Sequence, residues 1–248
     1  MASFAPKFGS YEYASEAGIY VEKVTRPTAV KTRQADTPGL HGGYSAGGLL
    51  APRQFNISGL IVGTSDEDTR DKVEAFAGAH PPGPIRTFYF YSDRYINAEV
   101  SAISNTEFGA LANISIPFDV EFTAVDPFFY DVDTNTQLDL DEGGTVTAGG
   151  TAPAAPLWTL VIGSLGTDGT LTLTNTTTGE ALVLAPTTTG TYLIDSRLQT
   201  ITRSGSDVSE QMNGLYPTLA MGDNDITVET TGGLAVSSLA VSWQNRYY

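Results

Sequence analysis

From Ile114 to Ala124 the chain alternates without a break. Ile114, Ile116, Phe118, Val120, Phe122 and Ala124 are separated by Ser115, Pro117, Asp119, Glu121 and Thr123. A helix would repeat its apolar positions about every 3.6 residues, so a period of two predicts a strand with one face in a core and the other in water. A chain committed to such a strand must supply partners for both of its edges. Pro117 lacks an amide donor on the wet side, which places the strand at a sheet edge or makes position 117 a bulge.

The partners are legible upstream. Arg86 to Tyr91 and Tyr95 to Ile103 are rich in aromatic and β-branched residues and flank Ser92-Asp93-Arg94, the pattern of a hairpin. Phe55, Ile57 and Ile61 predict a further strand from Gln54 to Val62. One helix is expected, at about 66 to 77. Ser65 with Asp68 three residues on resembles a capping box, Val73, Phe76 and Ala77 share a face, and Gly78, Pro81 and Pro82 end it. This helix is expected to cover one end or face of the first sheet. Residues 31 to 52 carry Gly39, Gly42, Gly43, Gly47 and Gly48 with little apolar periodicity, and read as a long loop leaving the sheet.

The two halves differ in character. Residues 1 to 130 hold ten basic and fifteen acidic side chains, a net −5, while residues 131 to 248 hold three and thirteen, a net −10. The second half has no lysine and is crowded with Thr and Gly. Short strands there surround tight turns: Leu171 and Leu173 before Asn175 to Gly179, Leu182 and Leu184 after it, then Tyr192 to Ile194, Thr200 and Ile201, Asp225 to Glu229, and Leu239 to Trp243. Such spacing without a helical pattern predicts a sandwich or jelly roll. Two domains are therefore expected, 1–130 and 131–248, with an acidic linker over about 131–150.

A net charge of −15 argues against a role that depends on a basic nucleic-acid patch. The absence of cysteine removes disulfides, thiolate metal sites and cysteine nucleophiles. Residues 1 to 7 show no long apolar stretch of the signal-peptide kind, and no segment reaches the roughly 20 apolar residues of a membrane span. A cytosolic protein, or one assembled in the cytosol into something larger, is the expectation.

The order of these strings resembles a known family. Phe55-Asn56-Ile57-Ser58-Gly59-Leu60-Ile61-Val62-Gly63, an acidic helix, Tyr91-Ser92-Asp93-Arg94-Tyr95-Ile96-Asn97-Ala98-Glu99-Val100, the alternating strand and then Val125-Asp126-Pro127-Phe128-Phe129-Tyr130 look like the first domain of the distal tail proteins of long-tailed, siphovirus-like phages. Gly150-Thr151-Ala152-Pro153-Ala154-Ala155-Pro156-Leu157-Trp158, Leu193-Ile194-Asp195 and Tyr216 to Ile226 are similar to the second. The glycine-rich loop at 39 to 48 and the acidic stretch after Tyr130 depart from the pattern.

The resemblance implies an all-β chain: a β-sandwich-like, ring-forming first domain with one helix, then a galectin-like jelly-roll or β-sandwich domain pointing outward. It implies a structural virion protein of the tail tip, assembled in the host cytoplasm. Its partners would be itself, as a homohexameric ring, the tail tube protein, the hub or tip protein and receptor-binding proteins. DNA would pass through the bore without specific binding, and no membrane, cofactor or metal is implied.

Residues with chemical potential are few. His41 sits among glycines as a loop contact, and His80, past the helix end, would favour the helix C-terminus when protonated. Asp119 and Glu121 are neighbours on the wet face of one strand, where solvation accounts for them without acid–base work. Asp131, Asp133, Asn135 and Glu142 match positions one, three, five and twelve of an EF-hand loop, but Thr136 stands where that loop needs glycine and no helices flank it. His41, Tyr44, Leu49 and Leu50 are the candidate contacts between copies. An acidic bore is expected, in contrast to one lined by Lys23, Lys31 and Arg33. Two other functions stay open: a carbohydrate-binding module using Trp158, Trp243 or Tyr248 as a stacking platform, and a glycan-cleaving enzyme, which the lack of a paired-carboxylate motif disfavours.

Overall fold

A computed structural model describes residues 4–13, 16, 18–26, 30–36, 43–105 and 114–248, with backbone alone at 4, 5, 30–36, 43–49 and 105. The chain divides into two compact units, Met1–Phe129 and Tyr130–Tyr248. The fold is all-β with one α-helix among the described residues.

The first unit contains β1 (Phe4–Phe8), β2 (Tyr11–Glu12), β3 (Ile19–Thr25), β4 (Val30–Asp36), β5 (Gly43–Leu50), β6 (Arg53–Val62), helix α1 (Asp66–Ala79), β7 (Arg86–Tyr91), β8 (Arg94–Asn105) and β9 (Ser115–Ala124). Along the main sheet the order is β2-β1-β7-β8-β9-β6-β3. β8 is the corner. Its first part, Arg94 to Ala98, pairs with β7, and from Glu99 onward it pairs with β9, with an irregularity between Val100 and Ala102. A strand shared in this way folds one sheet into two leaves.

Aromatic side chains fill the space between the leaves. Phe8 meets Phe122 at 5.0 Å between ring centroids, Phe55 meets Phe88 at 4.9 Å, and Phe88 meets Phe122 at 5.0 Å. Each such pair adds about 0.5–1.5 kcal/mol beyond the area it buries. The alternation at Ile116, Phe118, Val120 and Phe122 is realised as predicted, since all four are buried. Gly59 of β6 is required by the close approach of β3, because a Cβ there would stand 1.9 Å from the Tyr20 carbonyl oxygen.

Pro117 corrects one expectation. β9 lies between β8 and β6, and its register with β6 runs from Val62↔Ser115 to Arg53↔Ala124 without a shift. It is therefore neither an edge nor bulged at 117. Gly63 donates its amide to the Ile114 carbonyl, so by alternation the Leu60↔Pro117 pair is a non-hydrogen-bonded one and the proline nitrogen faces away from β6. On that side the ladder with β8 runs, among the described residues, to the pair Asn105↔Phe118.

α1 begins where the sequence places it and runs two residues further. Ser65 Oγ accepts from the Asp68 amide at 3.2 Å. The Asp68 carboxylate accepts in turn from the Thr64 amide at 2.7 Å and from Lys72 Nζ at 2.9 Å. The Thr64 bond first, then Lys72, hold the Asp68 carboxyl below its ordinary pKa. Phe76 fastens the helix to the sheet, 4.7 Å from Phe118.

The stretch read as an open loop is an antiparallel ribbon. β4 pairs with β5 from Val30↔Leu50 to Asp36↔Gly43, with one irregularity between Thr32 and Gln34. Glycine weakens strand propensity and carries no apolar alternation, so backbone pairing leaves little trace in such a sequence.

The second unit is a sandwich of two antiparallel sheets. Its strands are β10 (Phe129–Asp131), which starts at the boundary, β11 (Asn135–Gln137), β12 (Gly144–Ala148), β13 (Leu157–Ser164), β14 (Leu171–Asn175), β15 (Glu180–Leu184), β16 (Gly190–Asp195), β17 (Thr200–Arg203), β18 (Ser206–Asp207), β19 (Met212–Gly214), β20 (Gly222–Thr230), β21 (Ala235–Trp243) and β22 (Arg246–Tyr247). One sheet has the order β11-β21-β13-β16-β17-β18 and the other β12-β20-β14-β15-β19. Trp158, Leu160, Tyr192 and Ile194 from the first pack against Val146, Leu173, Leu182 and Leu184 from the second, all at 0% exposure.

Residues 131 to 150, expected to form an acidic linker, are built into this sandwich. β11 pairs with β21, β12 pairs with β20, and Leu140, Val146 and Ala148 join the core. Three apolar side chains spaced through an acidic segment suffice to anchor it, while Asp133, Asp139 and Glu142 face water.

Candidate assembly interface

The β4–β5 ribbon forms a separate two-stranded sheet. An isolated hairpin of this kind is marginal in water, because hydrogen bonds between two strands barely offset the chain entropy they fix. Of the candidate contacts between copies, Tyr44 stands opposite Ala35 in the ribbon, Leu49 opposite Lys31, and the half-buried Leu50 opposite Val30. The ribbon thus brings three of the four onto one strand. His41 lies outside the described residues.

A second surface is the outward face of the leaf formed by β3, β6, β9 and the end of β8. β6 presents Gln54, Asn56 and Ser58 there, and β9 presents Asp119 and Glu121. Asn56 Nδ2 donates to both oxygens of Asp119, at 3.0 and 3.3 Å, so Asp119 is a hydrogen-bonded member of a polar face. Thr25, Gln54, Asn56, Ser101 and Glu121 border a shallow depression of about 150 Å³. Lys23, in register with Ser58, shares this face.

His80 differs from expectation. It is 0% exposed, and its ring lies parallel to Phe8 at 5.7 Å and tilted against Phe76 at 4.4 Å. Nδ1 is 2.7 Å from the Phe76 carbonyl, which only accepts, so Nδ1 carries the proton; Nε2 then accepts from the Tyr13 hydroxyl at 2.6 Å. Burial lowers the His80 pKa, outweighing the opposing effect of the Phe76 bond, with Arg86 adding repulsion. The ring is a neutral core member and not a cation at the helix terminus. Burial likewise pushes the Tyr13 hydroxyl well above its usual pKa.

The segment resembling a calcium loop holds the short strand β11, Asn135–Gln137, between irregular stretches. Asn135, at loop position five, pairs with Trp243 in the sheet. Asp131, at position one, accepts from Asn245 Nδ2 at 2.9 Å and from the Tyr247 hydroxyl at 3.2 Å, tying the last strand to the start of the unit. Among the described residues no group of three or more His, Asp or Glu side chains is placed to hold a metal.

Of the proposed stacking platform, Trp158 is fully buried and Trp243 is 7% exposed, both within the sandwich core. Alternation along β13 and β21 turns both rings inward. Tyr248 alone stays accessible, at 56%.

Sequence reasoning passed over Arg53 and Arg26. Arg53 is in phase with Phe55 and Ile57 on the buried face of β6, and a charge on the apolar phase of an amphipathic strand was the available signal.

A family model of the phage tail protein RIFT-related domain matches residues 7–120. No curated protein sequence matches the chain. Among solved structures, the fold is shared with the Dit protein (gp 19.1) of phage SPP1, described as a paradigm of the hub adsorption apparatus in phages infecting Gram-positive hosts. The TM-score is 0.74 at 14% identity, over 99% of this chain and 100% of that one. A chain of the phage P2 baseplate in its activated conformation aligns over 98% of both chains at 12% identity, with a TM-score of 0.44.

Proposed function

We propose that this chain, a phage tail protein by the RIFT-related domain over residues 7–120 and one with the distal-tail fold along its length, closes into a ring of six copies at the tail tip. The ring would join the tail tube to the hub and carry receptor-binding proteins. Its role is structural and not catalytic, and the first unit builds the ring. The observation that carries this is the ribbon of β4 and β5, two strands that pair only with each other among the described residues. A hairpin too small to be stable alone gains its missing partner when a neighbouring copy supplies one, and strand edges are ready templates for such pairing.

The polar leaf supports a passage for DNA. Asp119 and Glu121, set against Lys23 on a face of small polar side chains, would give a net repulsion of phosphates within a Debye length of about 8 Å. A bore lined mainly by Lys23, Lys31 and Arg33 would contradict this.

Native mass measurement of the purified chain tests the ring. A closed hexamer is expected, and a strictly monomeric protein at tens of micromolar would refute it. The carbohydrate-binding alternative loses two of its three platform residues to the core.

A further inference from the structure

Nine asparagines lie along the chain, and only Asn213 is followed by glycine. The pair sits in β19, the last strand of its sheet, and both residues are exposed. Val183 stands opposite Asn213 and offers its carboxamide no hydrogen bond. Other asparagines are held in place: Asn175 and Asn224 are buried and bonded to each other, Asn56 is tied to Asp119, and Asn245 to Asp131.

The backbone here leaves a nucleophile open. Leu215 donates its amide to the Ala181 carbonyl and Ala185 donates to that of Gln211, so by alternation Asn213 and Val183 form the hydrogen-bonded pair between them. The peptide joining Asn213 to Gly214 therefore turns its carbonyl toward β15 and its N–H toward the sheet edge. Gly214 has φ 102°, a conformation that favours glycine, and it carries no side chain to shield its nitrogen.

We propose that Asn213-Gly214 is a site of spontaneous covalent modification in the folded protein, at which the Asn213 carboxamide becomes a carboxylate. Solvent base takes the Gly214 N–H proton, and the nitrogen forms a bond to Asn213 Cγ. The bond from Cγ to Nδ2 breaks, and Nδ2 takes up a proton from water and leaves as ammonia. Water then adds to one carbonyl carbon of the resulting succinimide ring and breaks that carbon's bond to nitrogen. Opening at Cγ gives aspartate. Opening at the main-chain carbon gives isoaspartate, in which the chain runs through the former side chain. In total a water is consumed and an ammonia released.

The surroundings confine the effect. Isoaspartate lengthens the main chain by a carbon, and Gly214 has no slack, since even a Cβ there would stand 2.3 Å from the Ala181 carbonyl oxygen. The 2.7 Å bond from the Leu215 amide to that oxygen is the one lost. Farther on, the Pro217 carbonyl accepts from Ser196 Oγ at 2.8 Å and the Thr218 amide donates to Glu180 at 2.7 Å, which anchors the chain again. The edge strand gains a negative charge and frays, while the sandwich holds.

The test ages the full chain, as wild type and as Asn213→Gln, in warm, mildly alkaline buffer with and without urea. Peptide mass mapping locates the amide-to-acid change, an isoaspartate methyltransferase labels the rearranged product, and amide exchange reads Leu215. Folded wild type is expected to lose the amide at 213 before that of any other asparagine and to take the label there. Its protection at Leu215 should be lost, with that at Leu173 and Leu182 unchanged. Asn213→Gln, whose longer side chain would have to close a less favoured ring, should stay unlabelled at 213 and keep Leu215 protected. Conversion in urea but not in the folded protein would show that the strand shields Asn213 and would overturn the proposal, as would earlier conversion at another asparagine. Conversion at 213 with Leu215 still protected would overturn the fraying.

Discussion

His80 shows how one side chain can report the state of a whole core. Its Nδ1–H donates to the Phe76 carbonyl and its Nε2 accepts from Tyr13, so both ring nitrogens are satisfied with the imidazole neutral. In the unfolded chain an imidazole titrates near about 6.5, and in the fold burial places it lower. Between those two values the unfolded state binds a proton that the folded state does not. Stability therefore rises with pH across that window, and is lost as pH falls from the unfolded value through the folded one. The denaturant midpoint of the first unit is expected to drop between pH 7 and pH 5. His80→Gln should flatten that slope, at a cost of about 1–3 kcal/mol at pH 7 from disturbed buried hydrogen bonds. Parallel slopes in the two proteins, measured by urea unfolding, would assign the dependence to other groups. The same scale shows why the histidine was misjudged: its place after a helix end is visible in sequence, but the rings of Phe8, Tyr13 and Phe76 that enclose it come from distant positions.

At the scale of elements, the segment from Asp131 to Glu142 illustrates how a ligand-like spacing can serve a strand. An EF-hand needs its acidic side chains to converge around a sharp turn at the sixth position. Here Thr136 pairs with Ser242 in an extended ladder, and Asp131 spends its carboxylate on Asn245 and Tyr247. Millimolar calcium should leave the melting temperature within about a degree of its value in magnesium, since a ligand that does not prefer the folded state cannot stabilise it. A calcium-specific rise of several degrees would make the segment a binding site after all. The β4–β5 ribbon is the opposite case. No apolar alternation announces it, and its pairing depends on main-chain groups that every residue carries. Helix α1, by contrast, was legible to within two residues, because Ser65, Asp68 and the following apolar positions act locally.

For the whole molecule, each unit encloses its own core, the first lined with phenylalanine and the second with aliphatic side chains and tryptophan. Tyr130 belongs with the second, where Arg197 and Arg246 lie 5.4 and 5.7 Å from its ring centroid. Residues 1–129 should oligomerise as a separate fragment, because they contain the ribbon. Residues 130–248, with twice the net negative charge, should remain folded and monomeric. Sedimentation of the two fragments decides this, and a monomeric first fragment beside an oligomeric second would reverse the assignment. The sequence by itself determined what depends on near neighbours along the chain: strand phase, the hairpin at Ser92, the helix and its cap, and the division into two differently composed halves. Only the tertiary structure decided which edges meet, that β9 is central despite Pro117, that Trp158 and Trp243 face inward, and that Arg53 is buried without a counter-ion among the described residues. Those outcomes depend on contacts between residues far apart in sequence, and no local pattern encodes the partner that lies across a sheet.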